Sequence, residues 1–101
     1  MNIEQKEIDG LLIRRSKRWP NYGCTTSGEV YRWDREKRMT PCISNAGYLV
    51  VRVCHNNKAM NAHVHYMVAD CWLENDDPEY KVYVNHIDGD KTNPNINNVE
   101  W

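Results

Sequence analysis

No run of eighteen apolar residues occurs in this 101-residue sequence, so no segment reads as a membrane-spanning helix. A basic leader is lacking as well. Residues 1–12 carry Glu4, Glu7 and Asp9 instead, and they do not read as a signal peptide. The chain has no internal repeat, no low-complexity tract and no linker long enough to separate two domains. That leaves one small domain over residues 1–101, able to bury only part of its surface and modestly stable. No two of Cys24, Cys42, Cys54 and Cys71 have C-x-x-C spacing, so a zinc ribbon is not expected. His63 and His65 with Cys54 or Cys71 do not complete a ligand set, and zinc is not expected there either. The even count of four would allow two disulfides, but with nothing to indicate secretion the cysteines read as reduced, mostly buried thiols of a cytoplasmic protein.

What is present is unevenly distributed. Residues 1–60 hold eleven Lys and Arg against six Asp and Glu, a net of +5. Residues 61–101 hold two against eight, a net of −6, and the halves together give the −1 of the whole. A basic half suits contact with phosphates, and an acidic half suits placement of a cation. The basic residues fall mainly into two groups: Arg14, Arg15, Lys17 and Arg18, then Arg32, Arg35, Lys37 and Arg38. Trp19, Tyr31 and Trp33 are interleaved with them, as in surfaces that hold phosphates and offer aromatic faces to bases. The alternative is an ordinary solvated face.

The densest chemistry lies in residues 84–101, V-N-H-I-D-G-D-K-T-N-P-N-I-N-N-V-E-W. Asn and Asp there bond readily to neighbouring backbone and build loops. They are also hard oxygen donors of the kind Mg²⁺ selects. A histidine beside such donors can act as general base for water. A metal together with a base points to hydrolysis of an anionic substrate, with a phosphodiester as the leading candidate. Outside a larger pattern, a histidine in such a loop is more simply a structural one.

Residues 1–18 have no clear period, although Ile3, Ile8, Leu11 and Leu12 fit one short helical face. Ser27-Gly28 marks a turn between 22–26 and the β-forming run 29–33, which predicts a hairpin. Residues 48–54 form the strongest strand pattern, with 59–64 as the return strand across a turn at 55–58. At about residue 64 the apolar spacing becomes helical. Val64, Met67, Val68, Cys71 and Trp72 share one face, predicting a helix over 65–73. A short strand near 81–84, a turn at Asp88-Gly89 and a return strand at 99–101 close the chain as a hairpin of 82–85 with 98–101. The fold class is α+β.

Residues 84–101 resemble the core of HNH endonucleases of the phage and intron-homing type. In that family a hairpin carries an Asp-His or Asn-His pair, followed by a D-G-x-K-x-N loop and an N-L-x-W strand. The chain supplies Asn85-His86, then Asp88-Gly89-Asp90-Lys91-Thr92-Asn93, then Asn98-Val99-Glu100-Trp101. Upstream, Val64-His65-Tyr66-Met67-Val68-Ala69 is similar to the family's V-H-R-L-V-A helix. Residues 22–31, Y-G-C-T-T-S-G-E-V-Y, resemble the Y-x-V-S-N-x-G-x-V element that often precedes it, and Gly47-Tyr48-Leu49-Val50 resembles the G-Y-x-x-V strand that follows. The resemblance covers roughly residues 20–101. It implies small antiparallel β units, a helix and a terminal ββα-metal (His-Me finger) hairpin. It also divides the chain into a basic DNA-contact element over 1–45 and an HNH core over 46–101.

The same resemblance implies roles. His86 would be the general base that activates water, and Asn85 would give one oxygen to a divalent metal, Mg²⁺ or Mn²⁺. Asn98 would tie the loop to the hairpin and orient His86. His65 joins the candidate catalytic set as the family's upstream histidine, with packing or phosphate contact as its open alternatives. Lys91 joins the DNA-contact set. Past the N-L-x-W strand the family continues into a helix bearing a second metal ligand. This sequence stops at Trp101, so its terminal unit is expected to lack that helix and to hold metal weakly. The expected activity is metal-dependent cleavage of double-stranded DNA in the cytoplasm of a bacterial or phage-infected cell. The alternatives are a non-catalytic DNA-binding module and a phage protein that binds a host protein through the acidic segment 70–90.

Overall fold

Asp9 and Gly10 both have positive φ, 54° and 77°, and they join strands β1 (Gln5–Ile8) and β2 (Leu11–Arg15) of the computed structural model. The structure describes residues 3–101, and the first two residues of the amino-terminal stretch lie outside the described residues. Two left-handed residues in succession make the tight turn whose twist matches paired strands, and Asp-Gly adopts it readily. The helical face expected for Ile3, Ile8, Leu11 and Leu12 is therefore corrected to a hairpin. Pleat alternation, not helical spacing, buries Ile8 and Ile13 and leaves Leu12 exposed.

Strands β3 (Tyr22–Cys24), β4 (Val30–Arg32) and β5 (Lys37–Arg38) continue an antiparallel sheet in the order β1-β2-β3-β4-β5. The hairpin expected over 22–33 is present, with Tyr22 opposite Arg32 and Cys24 opposite Val30. Strands β6 (Cys42–Ile43), β7 (Leu49–His55) and β8 (Lys58–His63) make a second sheet. Its β7–β8 hairpin turns at Asn56-Asn57, again at positive φ. The chain then enters helix α1 (Val64–Trp72), one residue from the expected start. Strands β9 (Asn85–His86) and β10 (Val99–Glu100) form the terminal hairpin, with His86 opposite Val99 and Asn85 opposite Glu100. This hairpin is shorter than expected. Residues 81–84 are irregular, and only Val84 among them turns inward.

Helix α1 buries Val64, His65, Met67, Val68, Ala69 and Cys71, which is most of its circumference. Trp19, Tyr22, Cys24 and Val30 cover it from the first sheet, Val51, Val53 and Ala62 from the second, and Val84 and Val99 from the terminal unit. Each large apolar side chain buried this way contributes about 1.5–3 kcal/mol. The cysteines are free; Cys24 and Cys71 are buried, whereas Cys42 and Cys54 are exposed, so the expectation of mostly buried thiols holds for half of them. Among the described residues no helix is long and apolar enough to cross a membrane.

Two polar fastenings hold the units to the helix. One carboxylate oxygen of Asp70 accepts from Ser16 Oγ at 2.7 Å and from the backbone N–H groups of Lys17 and Arg18 at 2.8 and 3.2 Å. The other fastening is at the β3–β4 turn. Gly28 has φ +90°, and a Cβ built there would lie 2.5 Å from Pro94 Cγ and 3.2 Å from Val64 Cγ1. Beside it, the Ile96 N–H donates to the Thr26 carbonyl at 2.8 Å. The turn of the first sheet thus docks on the terminal loop and the start of α1. Gly28→Ala should lower unfolding stability by about 1–3 kcal/mol through strain and overpacking. Urea titration checks this, and an unchanged midpoint would show that the turn does not bear on the terminal loop.

Candidate active site

The segment between β9 and β10 is built from short polar reaches along its own backbone. Asp88 accepts from the Asp90 N–H, Asp90 from Thr92, Asn93 from Asn95, and Asn95 from Asn97, each two residues ahead. Such contacts are what Asn and Asp offer in place of a regular ladder, and they account for the composition of the loop. Asn98 joins its two sides. Its side-chain Nδ2 donates to Asp88 Oδ1 at 2.8 Å and to the Asn93 carbonyl at 3.0 Å, while its Oδ1 accepts from the Asp88 N–H at 3.1 Å. Its backbone carbonyl accepts from Ile87 N–H at 2.7 Å. The Asp88 carboxyl is held below its usual range, first by the Asp90 N–H and then by the Asn98 amide. Among the described residues, Asn98 makes no hydrogen bond to the His86 ring, so it acts on the loop directly and on His86 only through the hairpin.

His86 sits on β9 with its ring turned inward, 7% exposed, and Asn85 beside it faces outward. Its ring lies 4.2 Å, centroid to centroid, from that of His65 in the first turn of α1. The Tyr48 ring stacks over both, 5.3 Å from His65 and 5.9 Å from His86, and His63 meets Tyr48 and His65 edge-on. Lys91 reaches from the loop to the Ala46 carbonyl at 3.0 Å, placing its ammonium 5.0 Å from the Tyr48 ring. Burial lowers the pKa of His86 against the opposing pull of Asp88 and Asp90. Burial also lowers that of His65, to about 4, helped by His86 and His63. Both rings are therefore neutral at pH 7, the state in which an imidazole can take a proton.

Asn85 is exposed, and its Nδ2 is 3.5 Å from an Oε1 of Glu100, its partner across the hairpin. Asn85 and Glu100, each carrying a hard side-chain oxygen, thus stand together on the outward side of the hairpin that bears His86. Sequence reasoning named Asn85 and passed over Glu100, whose place opposite it depends on the register. Tyr48 was likewise read only as part of a strand. Among the described residues no group of three or more His, Cys, Asp or Glu could hold a metal ion.

The basic residues are spread and partly engaged. Arg14 stacks 4.2 Å over Trp72, Arg15 pairs with Glu4 at 2.6 Å, and Arg18 lies over Trp19. Arg32 pairs with Asp34 at 3.3 Å and Arg38 with Glu29 at 3.8 Å. Lys17, Arg35 and Lys37 are exposed and form no ion pair among the described residues. The clusters adjacent in sequence are thus divided between free exposed cations and ones engaged with acids or aromatic rings. Strand alternation sends Arg14 toward Trp72 and Arg15 toward Trp33, on opposite faces of the first sheet.

A histidine on a two-stranded hairpin and its Asx-turn loop, packed on the preceding helix α1, are arranged as in the hairpin part of an HNH-type nuclease. No family model matches the sequence. Two HNH endonucleases of Acanthamoeba polyphaga mimivirus, both described as uncharacterized, are similar to it. One is 41% identical over 98% of this chain and the other 27% identical over 94%. The chain spans 28% and 24% of their lengths. The HNH homing endonuclease I-HmuI, which binds and cleaves DNA, superposes with a TM-score of 0.73 at 28% identity, over 88% of this chain and 51% of that one. Over nearly all of its own length the chain is similar to HNH endonucleases.

Burial of His65 carries a stability consequence with a definite sign. Its folded pKa of about 4 lies below the ordinary 6.5. As pH falls below 6.5 the unfolded chain takes up the proton first, so stability declines through that window and levels off below pH 4. The full loss attributable to this ring is about 3 kcal/mol. His65→Leu should flatten that limb in urea titrations across pH. An equal slope in both proteins would show that the ring is not buried neutral.

Proposed function

We propose that this chain carries the general base and part of the metal site of a metal-dependent DNA endonuclease, with His86 as the base. The observation that carries this reading is the inward-turned, neutral His86 ring on β9 beside the exposed Asn85–Glu100 pair. A water positioned against the imidazole gives up its proton to His86 as its oxygen attacks the phosphorus of the scissile phosphodiester; the bond from phosphorus to the leaving sugar oxygen breaks, and that oxygen takes up a proton from solvent. The loop that Asn98 braces keeps β9 and β10 paired, and so keeps base and oxygen donors in one arrangement.

Nucleases of this family generally use divalent metals. The residues here fit such an ion: Asn85 and Glu100 are exposed neighbours across the hairpin, each carries a hard side-chain oxygen, and Mg²⁺ keeps several waters when held by few side chains. A divalent ion held there supplies charge neutralisation to the reacting phosphate. Double-stranded DNA is the partner this reading requires, and the unpaired cations Lys17, Arg35 and Lys37, with Arg18, are the side chains best placed to meet its backbone.

His86→Ala should reduce plasmid nicking by roughly 10²- to 10⁴-fold while DNA binding persists, because the cations are untouched. Asn85→Ala should raise the Mg²⁺ or Mn²⁺ concentration needed for half-maximal nicking. Gel-based nicking assays measure both, and full activity in His86→Ala would eliminate the mechanism.

Binding gives a separate test. Replacing Lys17, Arg18, Arg35 and Lys37 with Ala should flatten the dependence of log affinity on log salt by about 0.9 for each phosphate no longer neutralised. An unchanged slope against duplex DNA would remove these side chains from the interface.

A further inference from the structure

Two ring nitrogens are both enclosed and without a hydrogen-bond partner among the described residues, Nδ1 of His65 and Nε2 of His86. They belong to rings whose centroids are 4.2 Å apart and inclined at 42°. Both residues are more than nine-tenths buried. An enclosed, unpaired polar atom is rare in a folded protein and calls for an explanation. Here the two orphans lie in neighbouring rings and are complementary, since a neutral imidazole has one donor nitrogen and one acceptor nitrogen.

We infer that His65 is a positioning residue for His86: its Nδ1 accepts a hydrogen bond from the Nε2–H of His86, reached when the two rings turn edge to edge and part by roughly 1 Å. One proton then satisfies both buried atoms. The opposite polarity, His65 Nδ1–H donating to His86 Nε2, would also pair both atoms, but it would put the proton of His86 on Nδ1 and leave its ring no free lone pair for water. The arrangement fixes the tautomer of His86. With the proton held on Nε2, the lone pair is on Nδ1, the nitrogen that is not an enclosed orphan and that can take a proton from water. His65 in turn carries its own proton on Nε2, which is likewise not an enclosed orphan.

The surroundings favour this pairing. Tyr48 stacks on both rings and holds them in one layer, and His63 closes the edge beside His65. His65 is fixed by the first turn of α1, and His86 by the β9–β10 ladder. Two independent elements thus meet at one imidazole pair. The second histidine, which is neither water's base nor part of the Asn85–Glu100 pair, acquires a role as the acceptor that decides which nitrogen of the first is free.

This inference rests on His86 being the base, yet its test does not depend on cleavage. Long-range ¹H–¹⁵N correlation spectra of the chain at neutral pH read the tautomer of each histidine. The expected result is His86 protonated on Nε2 in the unaltered protein. His65→Asn, which keeps an acceptor near the position of Nδ1, should preserve that state, and His65→Leu should shift His86 to a mixture or to the opposite tautomer.

A proton on Nδ1 of His86 in the unaltered protein overturns the inference outright, even if His65→Leu fails to fold. An unshifted tautomer in folded His65→Leu also overturns it. In nicking assays, His65→Leu should lower kcat by about 10- to 100-fold with KM little changed, and His65→Asn should recover most of the loss. Loss of activity in His86→Ala with no tautomer effect of His65→Leu would defeat this inference alone. The expected tautomers with full activity in His86→Ala would defeat the nuclease reading instead.

Discussion

A helix buried around most of its circumference needs cover on every side, and in so short a chain only small sheets are left to provide it. Helix α1 has nine residues and six of them are buried. No single sheet of two to five short strands could enclose it. The first sheet, the second sheet and the terminal hairpin each cover one flank, and each depends on the helix for its own apolar face. The Asp70 carboxylate adds a polar fastening on the side of the first sheet, where the backbone of residues 16–18 turns its N–H groups toward the helix.

The site follows from that constraint. Because the terminal hairpin must pack on α1, His86 on β9 is pressed against His65 in the first turn, and Tyr48, just ahead of β7, closes over both. Burial keeps the two rings neutral, which is what a general base requires. On the outward side of the same two-residue strand, Asn85 and Glu100 stay wet. One short hairpin thereby presents a desolvated base toward the helix and oxygen donors toward solvent. The Asx-turn loop lets so brief a ladder hold its shape, with Asn98 linking its two ends.

Much of the fold was legible because its signals are local. The period change at residue 64, the β7–β8 hairpin and the Asp88-Gly89 turn are written in neighbouring residues. The β1–β2 hairpin was also locally written, in Asp9-Gly10, although four flanking apolar residues fit a short helical face as well. In the site, Asn85 and His86 could be named from their order in the chain. The Glu100 partner, the stacking of Tyr48 and the Asp70 fastening could not, since each depends on register or on contacts across tens of residues. The same limit applies to the basic half. Charges adjacent in sequence alternate across a pleated strand, and several are neutralised by acids that composition counts separately.

Chemical rescue tests the central claim most directly. Plasmid nicking by His86→Gly, measured in Mg²⁺ with and without added imidazole, asks whether a proton acceptor at this position is what the reaction lacks. The account predicts nicking that collapses in the variant and returns in part, in proportion to the unprotonated imidazole supplied. Nicking that is indifferent to the substitution, or a loss that imidazole does not relieve at any pH, would contradict it.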